Sequence, residues 1–328
     1  MEADLSRLLE VRNLSVGIKN EGKTFKAVNG ISFSIDEGEI LGIAGESGCG
    51  KSLTALSILN LLPEAAKILD GEIIFAGSSL ISLSKKEMCL VRGKEISMIF
   101  QEVRQSLNPL LRAGRQIEET LEISRSKDRA KNKAAVLEML LSLGFDEPEK
   151  IFNAYPHQLS GGMCQRVMAA IAAINSPRLL LADEPSSSLD ADSQERILSL
   201  LEKMNRDFKT SVLIISHDLS IIRRFCGRFI VMYAGRIVEE GPSRVFFSPL
   251  HPYTKALVRA IPDKDKRGKK LANIPGKVPS IEDSITGCPF APRCKKAQSI
   301  CFESFPPQIQ TQGHSVHCYF PETGELNV

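Results

Sequence analysis

The sequence has no tryptophan and no long apolar run. Aromatic residues make up only 6% of its 328 positions, and no stretch approaches the ~20 apolar residues that a transmembrane helix needs. Apolar runs such as Leu179–Ala182 and Val212–Ile215 have the length of buried strands. The N-terminus lacks the basic start and apolar core of a signal peptide. We therefore expect a cytoplasmic chain that needs other subunits for any step across a membrane.

An excess of charge of one sign is also missing. The chain carries 42 basic and 39 acidic residues, a net charge of +3. This balance gives no electrostatic footprint for nucleic acid and is too weak to indicate a membrane surface. With 43% apolar and 25% charged residues, the composition is that of a soluble globular protein with room for two domains, or for one large α/β unit with an appendage.

A glycine-rich segment lies between a predicted buried strand, 40–44, and a predicted helix that begins near Lys51. Two glycines separated by four residues, then lysine and serine, are typical of the P-loop that binds nucleotide phosphates. Backbone N–H groups and the positive end of the helix would hold the phosphates. Lys51 would reach the β- and γ-phosphates, and the Ser52 hydroxyl would bind Mg²⁺. The predicted nucleotide contacts are Gly45, Glu46, Ser47, Gly48, Cys49, Gly50, Lys51, Ser52 and Leu53.

Two carboxylates end a second apolar strand, 179–183. Asp183 can hold Mg²⁺, usually through water, and Glu184 can orient or deprotonate an attacking water. Alone, a strand that ends in Asp-Glu is more often structural. Together with the P-loop upstream, this pair indicates an ATP-hydrolysing site.

A second possible anion cradle precedes an apolar helix that includes Val167–Ile174. Its residues are Ser160, Gly161 and Gly162, which stand at the predicted helix start. A second cradle is redundant within one chain. It makes sense if it closes over the γ-phosphate that a different chain binds.

In this order the motifs resemble those of ATP-binding cassette (ABC) ATPases. The matching segments are the P-loop at 45–52, the Q-loop Gln101, the signature at 159–165, the Walker B strand at 179–183 with Glu184, the D-loop at 188–190 and the switch His217. Gln101 or His217 alone would carry no information. The resemblance implies a head-to-tail dimer in which each ATP lies between the P-loop of one subunit and the signature of the other.

The resemblance also implies residue roles. The signature residues Ser160, Gly161 and Gly162 would contact the partner's nucleotide. Gln101 would sense Mg²⁺ and couple to the membrane partner, His217 would contact the γ-phosphate, and Asp190 would pass information between the two sites. Because Glu184 and His217 are both present, we expect a site competent for hydrolysis.

The aromatic residue that normally stacks on adenine in this family is hard to assign. The sequence offers no tyrosine or tryptophan before the P-loop, and Phe25 is the only candidate. A buried core phenylalanine is an equally good interpretation of this position.

The C-terminal region narrows the resemblance to the ATPase subunits of oligopeptide/dipeptide permeases. The segments that carry it are His251–Thr254 and Cys288–Cys294, together with Tyr155–Gln158 ahead of the signature. Four of the eight cysteines also lie in this region: Cys288, Cys294, Cys301 and Cys318.

These four cysteines suit a soft metal, because thiolates bind such metals and a ligated metal can order a loop-rich segment. The resemblance implies a [4Fe–4S] cluster with four cysteine ligands. A structural Zn²⁺ and four reduced, unligated cysteines are the alternatives. His314 and His317 lie close to Cys318 in the sequence, and we interpret them as spectators because four cysteines already complete a site.

The predicted fold class is α/β: an ABC-type P-loop ATPase core with an antiparallel β subdomain and a helical subdomain, plus an irregular metal-binding C-terminal extension. The RecA-like and antiparallel-β core is predicted over 1–114 and 176–245, the helical signature subdomain over 115–175, and the extension with its four-cysteine metal site over 246–328.

The predicted function is the ATPase subunit of a di-/oligopeptide importer at the cytoplasmic face of the cell membrane. ATP and Mg²⁺ are the expected ligands. The expected partners are a second ABC ATPase subunit (a homologous chain, with a second copy of this chain as the alternative), two transmembrane permease subunits and, indirectly, an extracytoplasmic solute-binding protein. The alternatives are the ATPase of a nickel or small-solute importer, a soluble ABC ATPase outside transport, and a redox or iron-sensing switch.

Overall fold

The computed structural model describes residues 7–124, 128–186, 189–245, 248–261, 274–283, 285–311 and 314–322. Its strands, numbered in chain order, are β1 (Arg7–Asn20), β2 (Lys23–Asp36), β3 (Ile40–Ala44), β4 (Ala66–Phe75), β5 (Ser78–Ser79), β6 (Ile96–Ile99), β7 (Leu179–Asp183), β8 (Ser211–Ser216), β9 (Arg228–Tyr233), β10 (Arg236–Pro242), β11 (Gln308–Thr311) and β12 (His314–His317). Its α-helices are α1 (Lys51–Ile58), α2 (Lys85–Val91), α3 (Val103–Ser106), α4 (Ala113–Ser124), α5 (Arg129–Ser142), α6 (Pro148–Asn153), α7 (Gly161–Ala173), α8 (Ala191–Phe208), α9 (Leu219–Phe225), α10 (Pro252–Ala260) and α11 (Ser299–Glu303).

The chain forms two compact units. The unit that we call the signature unit consists mainly of Ser82–Ile215 and also includes Ile35–Ile40. The other, the P-loop unit, consists of Leu9–Ser34, Leu41–Ile81 and the described residues from Ser216 onward. The P-loop and the C-terminal region therefore belong to the same compact unit.

Strand pairing in the P-loop unit positions the P-loop. One sheet has the strand order β2-β1-β4-β5, and β4 pairs antiparallel with both β1 and β5. The remaining strands follow the order β11-β12-β10-β9-β3, in which β3 and β9 are parallel and the other neighbours are antiparallel. Ala44, the last residue of β3, lies opposite Val231 of β9. The P-loop thus begins at the carboxyl edge of this parallel pair, where α/β sheets bind ligands.

The signature unit is built on the parallel strands β8-β7-β6. Every residue of β7 is buried, which agrees with its continuous apolar sequence, because strands covered on both faces do not alternate. Helix α8 buries Ile197, Leu201 and Met204, which recur at helical spacing on one face. Its opposite face is charged, as expected for a helix that packs on one side only.

Several sequence predictions are confirmed at this level. The β region predicted before the P-loop is present as β1 and β2, where β1 pairs antiparallel with β4, and β9 and β10 form an antiparallel hairpin. The division into core, helical subdomain and extension stays a prediction. The two compact units divide the chain in a different way and do not test it. A charged stretch of the sequence, 263–270, which we interpret as part of a linker, lies outside the described residues. In the part of the chain that the structure describes, no helix combines the length and apolar character needed to cross a bilayer.

Candidate functional site

Two glycines give the P-loop its backbone path. Gly45 has φ +153° and Gly50 has φ +100°, conformations that residues with a side chain rarely adopt. A Cβ at Gly45 would stand 2.3 Å from the Met232 carbonyl oxygen, and a Cβ at Gly50 would stand 2.8 Å from that of Ala27. The loop therefore requires glycine at both positions, for backbone conformation and for space.

The P-loop lysine points back into its own loop. The Lys51 Nζ donates hydrogen bonds to the carbonyl oxygens of Gly45 at 2.7 Å and Glu46 at 3.0 Å, and the residue is only 7% exposed. Burial raises the pKa of the neighbouring Cys49 thiol. That thiol stays neutral at pH 7, so the cationic character of the loop is preserved. Of the other predicted contacts, Ser47 and Gly48 are exposed, and Ser52 and Leu53 are half-buried.

The C-terminal region holds Glu46 directly. The Arg293 guanidinium donates to the Glu46 carboxylate at 2.7 and 3.1 Å, and the Glu46 main-chain N–H donates to the Tyr253 hydroxyl at 2.9 Å. Burial raises the pKa of Tyr253 well above its usual range, so its hydroxyl stays protonated. Sequence analysis missed both contacts, although Tyr253 and Arg293 lie in the two segments that resemble peptide permease ATPases.

A cavity of about 340 Å³ opens beside the P-loop. Gly48 lines it, and so do Phe25 and Arg236. The C-terminal segment 279–283 also contributes to its lining. Phe25 is half-buried and faces this space, so it is in a position to contact a ligand.

Asp183 ends strand β7 in the signature unit, and Glu184 directly follows it. They are 3% and 8% exposed, respectively. Glu184 has φ +50°, a left-handed conformation that costs a non-glycine residue roughly 1 kcal/mol, and its N–H donates to the Ile215 carbonyl at 2.9 Å. The backbone therefore turns sharply at the residue that follows the strand.

The signature residues stand at the start of helix α7. The Ser160 hydroxyl accepts a hydrogen bond from the Met163 N–H at 3.2 Å and caps the helix. A Cβ at Gly161 would meet open space, and one at Gly162 would lie 3.2 Å from Leu189 Cδ2. The signature therefore presents a helix N-terminus, suited to an anion, in contact with the predicted D-loop.

The remaining predicted site residues are Gln101, His217 and Asp190. Gln101 in the signature unit and His217 in the P-loop unit are exposed. Asp190 caps helix α8 by accepting the Ser193 N–H at 2.8 Å, and this hydrogen bond lowers its pKa. Asp190 thus has a clear structural role, and Ser188 lies outside the described residues.

The four clustered cysteines are covered to different degrees. Cys288 and Cys301 are buried, and Cys294 and Cys318 are half-buried. The Cys288 N–H donates to the Cys301 carbonyl at 2.7 Å. Burial, with a smaller contribution from the charges of other clustered thiols, raises the pKa of Cys288 and of Cys318 to about 11. The four side chains are therefore close enough to influence one another electrostatically.

A metal site does not emerge from these side chains. Within the described residues, no group of three or more His, Cys, Asp or Glu side chains is arranged to hold a metal ion. This finding does not support the predicted metal-binding extension. His314 and His317 bind elsewhere: the His314 Nε2 lies 2.7 Å from the buried Glu239 carboxylate, and the His317 Nδ1 lies 3.1 Å from the Pro306 carbonyl.

Two family models match the chain. One, the ABC transporter model, matches residues 28–187, and the other, the oligopeptide/dipeptide transporter C-terminal region, matches residues 238–301. A probable peptide ABC transporter ATP-binding protein of Sinorhizobium fredii is 46% identical over 322 residues, which cover 97% of this chain and 96% of the relative. The dipeptide transport ATP-binding protein DppD of Bacillus subtilis is 41% identical over 321 residues, with 97% and 96% coverage.

The solved structures include a dimeric ATP-binding cassette in a post-hydrolysis state with bound ADP and phosphate. It is 31% identical, has a TM-score of 0.66, and matches 72% of this chain and 99% of its own chain. Most of this chain therefore shares the cassette fold.

Proposed function

Because this chain belongs to the ABC transporter ATP-binding proteins of the oligopeptide/dipeptide family, we propose that it binds and hydrolyses ATP to energise di- and oligopeptide uptake through separate membrane subunits. The observation that carries this proposal is the similarity to peptide transport ATPases over 97% of the chain, C-terminal region included. These relatives do not favour a nickel or small-solute importer, or a soluble ABC ATPase.

The catalytic roles rest on the order of the motifs and on the site geometry. Lys51 neutralises the β- and γ-phosphates. Glu184 takes a proton from the water that attacks the γ-phosphorus, while the bond to ADP breaks. His217 contacts the γ-phosphate, and Gln101 senses Mg²⁺ and couples the site to the membrane partner. The position of Glu184 supports this assignment, because it directly follows Asp183 at the end of a buried strand and is itself buried.

Mg²⁺ fits the oxygen donors that the family assigns to it. Ser52 at the start of α1 is half-buried, and Asp183 ends a buried strand. Hydroxyl, carboxylate and amide oxygens are the ligands that Mg²⁺ prefers, so we assign Ser52, Asp183 and Gln101 to it. The ion would neutralise charge on the phosphates.

The cavity beside Gly48 is the proposed nucleoside pocket. Phosphates on the P-loop leave the base within reach of this space, and its volume of about 340 Å³ accommodates a nucleoside. Phe25 at its wall is the proposed partner of the adenine ring. Stacking there would take the place of the tyrosine or tryptophan that the sequence lacks.

According to this proposal, the chain functions as one subunit of a larger assembly. The partners are a second ABC ATPase subunit, preferably a homologous chain, two transmembrane permease subunits and, indirectly, a solute-binding protein. The similar cassette solved with ADP and phosphate is a dimer, which supports the paired arrangement. We place the assembly at the cytoplasmic face of the cell membrane.

A [4Fe–4S] cluster on Cys288, Cys294, Cys301 and Cys318 remains part of the proposal. Its support is the donor set, four free cysteines within the C-terminal segment. A backbone N–H from Lys296 also points at the Cys294 sulfur at 3.4 Å, the kind of contact that tunes such clusters. The four cysteine thiolates would hold the cluster. A bound cluster would cross-link this segment.

The test is uptake in cells that lack the chain and are complemented with the wild type or with Lys51→Ala. Labelled di- and tripeptides should accumulate only with the wild type. Uptake of labelled nickel, and not of peptides, would overturn the peptide assignment and favour the small-solute alternative.

A further inference from the structure

The Arg293 side chain is buried and fully hydrogen-bonded. Its side chain is 4% exposed, and each of its five N–H bonds has an acceptor within the P-loop unit. Two go to the Glu46 carboxylate at 2.7 and 3.1 Å, and one goes to the Tyr233 hydroxyl at 3.0 Å. The others go to the main-chain carbonyls of Pro275 at 2.9 Å and Ile274 at 3.2 Å. This arrangement uses the full donor capacity of a guanidinium.

Glu46 is held from a second direction as well. Its main-chain N–H donates to the hydroxyl of Tyr253 at 2.9 Å, and Tyr253 is fully buried. The Tyr253 ring packs edge-on against Tyr233, with ring centroids 4.6 Å apart, and lies 5.3 Å from Phe290. The C-terminal region therefore holds both the side chain and the backbone of Glu46, and packed aromatic rings support these contacts. We call the contacts of Arg293 and Tyr253 with Glu46 the clamp.

The peptide group of Glu46 connects this clamp to the phosphate-binding lysine. The Glu46 carbonyl accepts from the Lys51 Nζ at 3.0 Å and from the Cys49 N–H at 3.3 Å. A rotation of Glu46 would move the carbonyl that orients Lys51. It would also act on the neighbouring Gly45, which packs closely against Met232: a Cβ there would stand 2.3 Å from the Met232 carbonyl oxygen.

We propose that Arg293 is a positioning residue for ATP binding, which acts through Glu46 to hold the P-loop in its phosphate-binding conformation. The proposal rests on the proposed ATPase function and extends it to a residue outside the nucleotide motifs. Lysine cannot replace Arg293, because an ammonium lacks the planar fork that binds a carboxylate through two parallel hydrogen bonds.

The clamp couples the C-terminal region to nucleotide affinity. Coupling of binding to a conformational equilibrium is reciprocal, so bound ATP stabilises the segment that carries Arg293. The amides of Ala291 and Cys294, which are hydrogen-bonded within that segment, should exchange with solvent more slowly when ATP is bound. This protection should disappear in Arg293→Lys.

The experiment measures the Kd of Mg-ATP on the full chain, by calorimetry, for Arg293→Lys, for Glu46→Gln and for the double variant. Each single variant should weaken binding by about tenfold, because a charge-assisted contact that fixes the loop is lost. The double variant should bind no more than about twofold more weakly than the worse single one. The exposed Lys295→Ala is the matched control and should stay within twofold of the wild type.

Kinetics of the assembled transporter separate positioning from a general structural defect. Arg293→Lys should raise the KM for ATP by about tenfold and leave kcat within about threefold, because Glu184 is untouched. Tyr253→Phe is the second variant. It removes only the acceptor for the Glu46 N–H and keeps the ring, and it should raise KM by at least threefold.

Unchanged ATP affinity in folded Arg293→Lys and Tyr253→Phe would overturn the inference and leave the proposed function standing. Additive losses in the double variant would also overturn it, since the two residues would then act separately. A wild-type chain that binds no ATP would instead overturn the proposed function itself.

Discussion

Replacing Glu184 with glutamine should leave ATP binding intact and slow hydrolysis by roughly 10²–10⁴-fold. Glutamine has the same shape, so the buried site after β7 keeps its packing. The N–H bond to Ile215 and the left-handed φ of +50° are backbone features that the substitution leaves in place. Only the ability to accept a proton is lost. The corresponding increase in the barrier is about 3–5 kcal/mol, at 1.36 kcal/mol for each tenfold change in rate.

The assay is phosphate release by the assembled transporter at saturating Mg-ATP, together with ATP binding at equilibrium. Glu202→Gln, an exposed carboxylate on α8, is the control and should behave like the wild type. A Glu184→Gln variant that hydrolyses ATP at a near-wild-type rate would refute the assignment of Glu184 as the proton acceptor. A variant that fails to bind ATP would refute the claim that Glu184 acts after binding.

Four further predictions concern the P-loop, the nucleoside pocket, the clustered cysteines and the buried His251. Gly45→Ala should abolish ATP binding, because its Cβ would stand 2.3 Å from a carbonyl oxygen; measurable affinity would contradict the described loop path. Phe25→Ala should raise the KM for ATP at least fivefold, from the loss of ~1 kcal/mol or more of stacking, and an unchanged KM would return Phe25 to a structural role. Cys294→Ser should lower thermal stability or assembly and reduce iron and sulfide content, with the ATP affinity per folded chain kept within threefold; full stability without metal would remove the cluster from a structural role. Burial lowers the pKa of His251 to about 4. When the pH falls, the unfolded chain therefore takes up a proton on this histidine first, near pH 6.5. The free energy of unfolding should decrease between pH 6.5 and pH 4, by up to ~3 kcal/mol. His251→Asn keeps a side-chain acceptor for the Tyr253 N–H, and denaturant titrations at pH 7.5 and 4.5 should show a smaller loss of stability in this variant than in the wild type.

The regular elements around the nucleotide motifs could be predicted from the sequence because their signals are local. The apolar run that ends in Asp183 reads directly as a buried strand, and the serine and glycines at 160–162 read as a helix start. The strained conformation of Glu184 could not be predicted, because a positive φ in a residue with a side chain is imposed by neighbouring strands.

The clamp on Glu46 was beyond sequence reasoning for a different reason. Arg293 and Glu46 are 247 positions apart, and an Arg–Glu pair at that separation leaves no periodic pattern. In the sequence, the segment around Arg293 is distinguished only by its cysteines and its resemblance to peptide permease ATPases. The structure gives that segment a physical connection to the P-loop, which the resemblance did not contain.

The coupling of ATP hydrolysis to peptide uptake is tested most directly in sealed vesicles that contain the complete transporter and internal Mg-ATP. The measured quantity is the ratio of ATP hydrolysed to labelled dipeptide accumulated. Peptide should accumulate only while ATP is consumed, and both should stop together when this chain carries Glu184→Gln. ATP consumption that proceeds without peptide accumulation, or peptide accumulation that continues with the Glu184→Gln chain, would contradict this coupling.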